Sequence, residues 1–432
     1  MRHPNRRTRM MSATVGGIAA LALLVTGCSS AAPAPTADAK PTLDVVFKGD
    51  QARADAMSAA IDIFLEDHPG WTITTDFQSG SEYMQKLSVR FASKDAPSVM
   101  RQERDTLREF SDRGVLIDLS EYIDTTDIPA SILDSGVVDG KLVGAVAGVS
   151  SLAYVIDEAA YTEYGVPIPD TDTWTWDDYK TSAAALGAAS GGKVWGTEFP
   201  VGDLVAFSVW LRQHGENLWD DKGKLAFTEK TAEGWFQKWT EFRDAGATPP
   251  GGAIDNLGVA AEQSSIGRGL VGSMIIPPNS FAAFNAASGG GLALAHFPGE
   301  SSAKQRGQQL IPGMYWAVST TEEFPKEAGE LVNFLLNDID GNRAMGGTNG
   351  TPANPKVADA IADDLSADDR AAFDYIIKLG EEKLTTSTPS PAGTSELVSE
   401  MVSLGEEMRA DRISPADAAK RIYNAVKAGL GS

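Results

Sequence analysis

Six successive segments between residues 42 and 113 switch between two hydrophobic periods, and this limits the folds open to the chain more than any other feature. Residues 42–47 (TLDVVF) are a short β-rich run ended by Lys48-Gly49-Asp50. Residues 52–66 carry Ala56, Ala59, Ala60, Ile63 and Phe64 at helical spacing, and His68-Pro69-Gly70 stops that helix. Residues 71–77 (WTITTDF) alternate as a second strand, 81–92 are helical, 97–100 form a third strand, and 107–113 a helix closed at Gly114. This β-α-β-α-β-α order predicts a parallel sheet with helices on both faces. Ligands of such sheets sit beyond the carboxyl ends of the strands. Here those ends are the loops 48–50, 78–81 and 101–104.

The rest of the chain predicts a second α/β body. Residues 143–156 (VGAVAGVSSLAYVI) are apolar, interrupted by Gly and Ser, and long enough to run through two sheets with a bend near 148–151. They read as a crossing between two lobes. Thr175 followed three residues later by Asp178 is a capping box, so a helix starts at Trp176. A strand at 194–199, helices at 204–214, 232–245 and 257–265, and a strand at 272–276 follow. Residues 292–297 and 314–319 read as strands returning to the first lobe, with helix 325–337 behind them. From 359 onward the pattern is helical, at 370–380, 395–409 and 415–430. A chain of 432 residues exceeds the size at which a single core keeps growing, so two domains are expected. The expected division is 42–150 plus 291–340 for an N-terminal lobe and 151–290 plus 341–432 for a C-terminal lobe.

The N-terminus predicts export. Arg2, Arg6, Arg7 and Arg9 make a basic start, and residues 13–25 an apolar run too short to span a bilayer of ~30 Å permanently. Val25-Thr26-Gly27-Cys28 ends it with small residues before the single cysteine of the chain. This segment resembles the lipobox of bacterial lipoproteins, which implies cleavage after residue 27 and lipid on Cys28. Residues 29–41 (SSAAPAPTADAKP) have no helical or strand period and read as a tether reaching at most ~40 Å, at ~3.3 Å per residue. Residues 1–27 hold four of the 37 basic residues and none of the 59 acidic ones, so the remainder carries a net charge of −26. Such a surface repels nucleic acid and anionic lipid, leaving the anchor as the membrane contact.

Motifs for chemistry fail on their context. Gly267-Arg-Gly-Leu-Val-Gly272 has dinucleotide-like glycines but follows a helix and precedes a strand, the reverse of the binding arrangement. Residues 187–193 nearly spell a phosphate loop, yet Val194 stands where a magnesium-holding Ser or Thr belongs. His68, His214 and His296 have no zinc-site spacing, and neither metal nor cofactor is expected. Adjacent acids such as Asp177 and Asp178 suit helix capping, although a glycosidase needs only two carboxylates at a set separation. An extracytoplasmic carbohydrate-active enzyme therefore stays as the alternative reading.

Eight phrases in order, besides the lipobox, give the chain its likeness. They are FLEDHPG closing residues 54–70, GSEYMQKL (80–87), SKDAPSVM (93–100), EFSDRGVLIDLSEYI (109–123), VDGKLVGAVAG (138–148), YGVPIPDTDTWTWDDY (164–179), KEAGELVNFLLND (326–338) and GTPANPKV (350–357). Together they resemble the extracellular solute-binding proteins of carbohydrate ABC importers, the group that includes maltose-binding protein. The resemblance implies a periplasmic-binding-protein-like α/β fold: two lobes, three hinge crossings, and a sugar held unmodified in the cleft between them. It implies a monomeric carrier, no cofactor, and delivery to ABC permease subunits.

Sugar sites pair aromatic rings with planar hydrogen-bonding groups. Tyr315 and Trp316 are the expected stacking rings. Asn279 and Phe281 follow from the group's aromatic after an Asn-Gly-Pro loop, a motif that Pro277-Pro278-Asn279-Ser280 alters. Phe199 and Asp203 lie after a second-lobe strand, whereas Trp174, Trp176 and Trp210 suit packing. Lys48, Asp50, Gln78, Ser81, Arg101, Gln102 and Glu103 end the first three strands. Arg101 with Lys48 would equally favour an acidic or phosphorylated sugar.

Overall fold

The computed structural model describes residues 40–78, 82–220, 223–250, 259–300, 306–381 and 394–429. Cys28, Ser81 and most of the tether lie outside them, as do residues 257–258 of the helix expected at 257–265.

The alternating N-terminal segments fold as their periods demand. Strands β1 (Thr42–Lys48), β2 (Thr72–Gln78) and β3 (Val99–Glu103) pair in parallel, with β1 in the middle. Helices Gln51–Asp67, Glu82–Ala92 and Arg104–Asp112 follow them in turn. The short hairpin β4 (Val137–Val138) and β5 (Lys141–Leu142) leads into β6 (Ala145–Ser150), and β7 (Ala153–Asp157) begins three residues later. After β8 (Ser273–Ile276) and β9 (Leu292–Ala295), β10 (Ile311–Val318) inserts between β3 and β6, antiparallel to both. The first sheet is therefore mixed, in the order β2-β1-β3-β10-β6, and the second has the order β8-β7-β9. The apolar 145–157 stretch runs from one sheet into the other, with the strand interrupted at Ser151-Leu152.

Four expectations need correction. β3 extends to Glu103 because Arg101, Gln102 and Glu103 face Trp316, Tyr315 and Met314 of β10 in register, so residues expected in a loop are ladder residues. The strand expected at 194–199 is only an isolated bridge, Trp195 with Val271, and of the helix expected at 257–265 the described residues form a single 3₁₀ turn, Ala261–Gln263. β9 does not return to the first sheet; it pairs with β7, Tyr154 opposite Ala295.

Burial follows the strand period of two. Tyr154, Ile156 and Ile275 point into a core with helices Trp176–Ala189, Leu204–Gln213, Glu229–Asp244, Thr394–Arg409 and Pro415–Gly429. Val155, Met274 and Ile276 point the other way, onto Phe281, Phe284 and Leu292. The first sheet has its own core, with Phe47, Met57, Val99, Leu107 and Leu331. Met345, Ala353, Tyr375, Ile376 and Leu379 pack there too, although residues beyond 341 were expected with the second lobe. Helix Ala367–Glu381 accounts for the last three of these, since its Ala372 joins the outer core of the second sheet while Tyr375, Ile376 and Leu379 join the first.

The helix starting at Trp176 has the expected reciprocal cap, with Thr175 Oγ1 accepting from Asp178 N at 3.2 Å and Asp178 Oδ2 accepting from Thr175 N at 2.9 Å. Asp177 pairs with Lys180 at 3.2 Å. Both acids of that candidate catalytic pair are thus engaged in ordering a helix N-terminus.

Candidate functional site

The parallel strands of the first sheet end on polar residues. Lys48, Gln78 and Glu103 are the last residues of β1, β2 and β3. Lys48 Nζ donates to Glu103 Oε1 at 2.5 Å, with both side chains about a third exposed. Asp50 caps the helix after β1, Oδ1 accepting from Arg53 N at 3.0 Å. Gln78, on the edge strand, donates to Asp76 at 3.2 Å.

Arg101 and Gln102 are buried, because β10 covers the ladder they belong to. Alternation puts them on opposite faces of the sheet. Gln102 Oε1 accepts from Thr106 Oγ1 at 2.9 Å. Arg101 lies with its guanidinium 5.1 Å from the centre of the Trp316 ring and donates Nη1 to Asn349 Oδ1 at 2.9 Å. Arg53 donates to Lys48 O at 3.1 Å and to Thr348 O at 2.5 Å. The 3₁₀ turn Gly346–Asn349 thus offers neutral oxygens to both arginines. Desolvation, then the nearby Arg53 charge, lowers the Arg101 guanidinium to about 9. Burial also lowers Arg53, against the pull of Asp50.

The expected aromatic platforms sit elsewhere. Tyr315 and Trp316 are 0% exposed on the strand second from the sheet edge, packed into the first core, and neither presents a face on which a ring can stack. Phe199 is buried edge-on to Trp239, 6.1 Å between centroids. Phe281 packs in the outer core of the second sheet and lines a cavity of ≈ 500 Å³ between β9 and helix Ala367–Glu381, among Leu292, His296, Tyr375 and Lys378. That cavity includes none of the strand-end residues. Trp174, Trp176 and Trp210 are in the second core, as packing residues.

Asp203 caps helix Leu204–Gln213, Oδ1 accepting from Val205 N and Ala206 N at 2.8 Å each. Desolvation nevertheless pushes its carboxyl up to about 6. Asn279 Oδ1 accepts from Ser150 Oγ at 3.3 Å, so the loop after β8 meets the end of β6, where the chain leaves the first sheet. Among the described residues, no group of three or more His, Cys, Asp or Glu is placed to hold a metal.

The structure therefore gathers Lys48, Asp50, Arg101 and Glu103 at one end of the first sheet, pairs Asn279 with Ser150 at the crossing, and sends Phe199, Phe281, Tyr315 and Trp316 into cores. Arg53, Thr348 and Asn349 escaped the sequence reading. One sign of Arg53 was available: a cation in the first turn of a helix opposes the helix dipole, so its position there calls for another purpose.

Comparison with known proteins supplies the wider setting. A family model described as bacterial extracellular solute-binding protein matches residues 59–373. An extracellular solute-binding protein family 1 member from Alicyclobacillus acidocaldarius is 25% identical, with a TM-score of 0.76 over 91% of this chain and 100% of its own. A cyclic alpha-maltosyl-1,6-maltose binding protein from Arthrobacter globiformis is 20% identical, with a TM-score of 0.74 over 91% of this chain and 99% of its own. A periplasmic oligogalacturonide binding protein from Yersinia enterocolitica, in complex with saturated digalacturonic acid, is 17% identical, with a TM-score of 0.72 over 90% and 99%. Two sheets joined by one apolar crossing, a polar cluster at the parallel strand ends and a family match over most of the length agree: the chain belongs to the bacterial extracellular solute-binding proteins.

Proposed function

We propose that this protein is the lipid-anchored receptor of an ABC importer, capturing a sugar or oligosaccharide and delivering it unaltered to the permease. The observation that carries the reading is the strand-end cluster. Lys48, Asp50, Arg53, Arg101 and Glu103 bring donors and acceptors together where an α/β sheet receives its ligands. Two structural relatives whose names specify saccharides support the choice of ligand class. The lipobox-like Val25-Thr26-Gly27-Cys28 supports the anchor.

In this reading the two cores approach by bending where β6 passes into β7, and Asn279 and Asp203 are the contributions of the second lobe. Closure draws its free energy only from the difference in sugar affinity between closed and open forms. A micromolar site needs about −8 kcal/mol, within reach of several charge-assisted hydrogen bonds.

The test is a thermal-shift screen against mono- and oligosaccharides, followed by mass spectrometry of the ligand released from the complex. A carrier gives saturable stabilisation by one sugar class and returns that sugar with its mass unchanged. Recovery of cleaved glycan would transfer the protein to the carbohydrate-active enzymes.

A further inference from the structure

The arginines beside the strand ends bear on which saccharide is carried, granted the sugar-carrier reading above. Arg101 is 1% exposed. Its Nε and Nη2 are buried without an acceptor among the described residues, as are Arg53 Nε and Trp316 Nε1. The acceptors these arginines do have, Lys48 O, Thr348 O and Asn349 Oδ1, are all uncharged. The chain holds 59 acidic residues; Glu103, the carboxylate that acts on Arg101, is engaged by Lys48, and Asp50, the one that acts on Arg53, is exposed and caps that arginine's own helix.

A cation withdrawn from water is costly unless an opposite charge meets it, and two side by side add mutual repulsion. The missing complement also has a shape. Nε and Nη2 lie along one edge of a guanidinium, the edge that grips two oxygens of a carboxylate or phosphate side by side. A neutral sugar hydroxyl could accept one of these hydrogen bonds but could not offset the charge.

We propose that Arg101 and Arg53 form an oxyanion seat, and that the captured saccharide carries a carboxylate or phosphate group which accepts from Arg101 Nε and Nη2 and from Arg53 Nε. The neutral oxygens over the two arginines belong largely to one short turn, Gly346–Asn349. Entry of the oxyanion therefore requires that single segment to give way.

The experiment is calorimetric titration of the protein with matched mono- and disaccharides in three forms: neutral parent, uronic acid and sugar phosphate. Inorganic phosphate is titrated alone beside them. The expected result is that one anionic form binds at least 100-fold tighter than its neutral parent, the two anionic arms showing which group is taken. Arg101→Gln and Arg53→Gln should each weaken that form at least 30-fold. The wild-type comparison needs no variant, so a poorly folding Arg101→Gln leaves the test intact, and Arg53, only half-buried, supplies the second substitution. Neutral and anionic forms binding equally would overturn the seat and leave the carrier reading standing, as would arginine variants with wild-type affinity. Inorganic phosphate binding as tightly as the sugar phosphate would reduce the seat to a free-anion site and overturn it as a sugar subsite. Binding of no saccharide in any form would remove both proposals.

Discussion

Trp316→Ala is expected to destabilise the protein by about 3–5 kcal/mol, the usual cost of emptying a tryptophan-sized place in a core. The ring is fully buried on β10, the strand between β3 and β6, and the Arg101 guanidinium lies 5.1 Å from its centre. Truncation removes the apolar volume and also the π face that meets a desolvated cation. The loss therefore includes a charge left with less around it, which places the effect toward the upper part of the range. Denaturant unfolding followed by circular dichroism measures it. Stability within about 1 kcal/mol of wild type would mean that the ring is not packed as described, and would restore it as a candidate stacking platform.

Gly196→Ala is the second large effect, and it acts on the other core. A Cβ at residue 196 would stand 2.2 Å from the Cα and the carbonyl oxygen of Ala183, in the backbone of helix Trp176–Ala189. No side chain can rotate away to relieve that approach, so either the helix or the segment entering β8's neighbourhood must move. The Gly196 carbonyl also accepts from Ser273 Oγ at 2.7 Å, and that hydroxyl lies 2.7 Å from Tyr179 OH on the same helix. Overpacking of this kind costs about 1–3 kcal/mol, and more where backbone is displaced; about 3 kcal/mol or more is expected here. Trp176, Trp235 and Trp239 meet edge to face at 5.6–6.2 Å beneath the helix. Near-ultraviolet dichroism should therefore record the disturbance together with a lowered melting point. An unshifted melt would show that helix 176–189 does not lie against residue 196.

Much of the architecture was legible because it is local. The period switches over residues 42–113, the His68-Pro69-Gly70 stop and the Thr175/Asp178 cap each depend on residues a few positions apart, and the structure contains all of them. What was misread depends on distant partners. Arg101-Gln102-Glu103 has no strand-like composition, yet it is a strand because β10, more than two hundred residues later, supplies the ladder. Residues 292–295 have strand character in either sheet, and only packing decides that they pair with β7.

The site divided along the same line. The strand ends Lys48 and Gln78, which follow from the alternation, are where the sequence put them, whereas Glu103 was expected in the loop beyond the third strand. Aromatic rings were a poor guide, since Tyr315 and Phe281 have the same composition whether they serve a cleft or a core. The arginine pair shows the limit most clearly: Arg53 and Arg101 receive their acceptors from Thr348 and Asn349, nearly three hundred and two hundred and fifty positions away.

Small-angle scattering of the protein, with and without a saturating saccharide taken from the thermal-shift screen, tests closure most directly. A hinged carrier should become more compact on binding, with a smaller radius of gyration and a shorter maximum dimension that return to their starting values when the sugar is dialysed away. A scattering curve unchanged at saturation would contradict closure around the ligand and with it the proposed mechanism of capture.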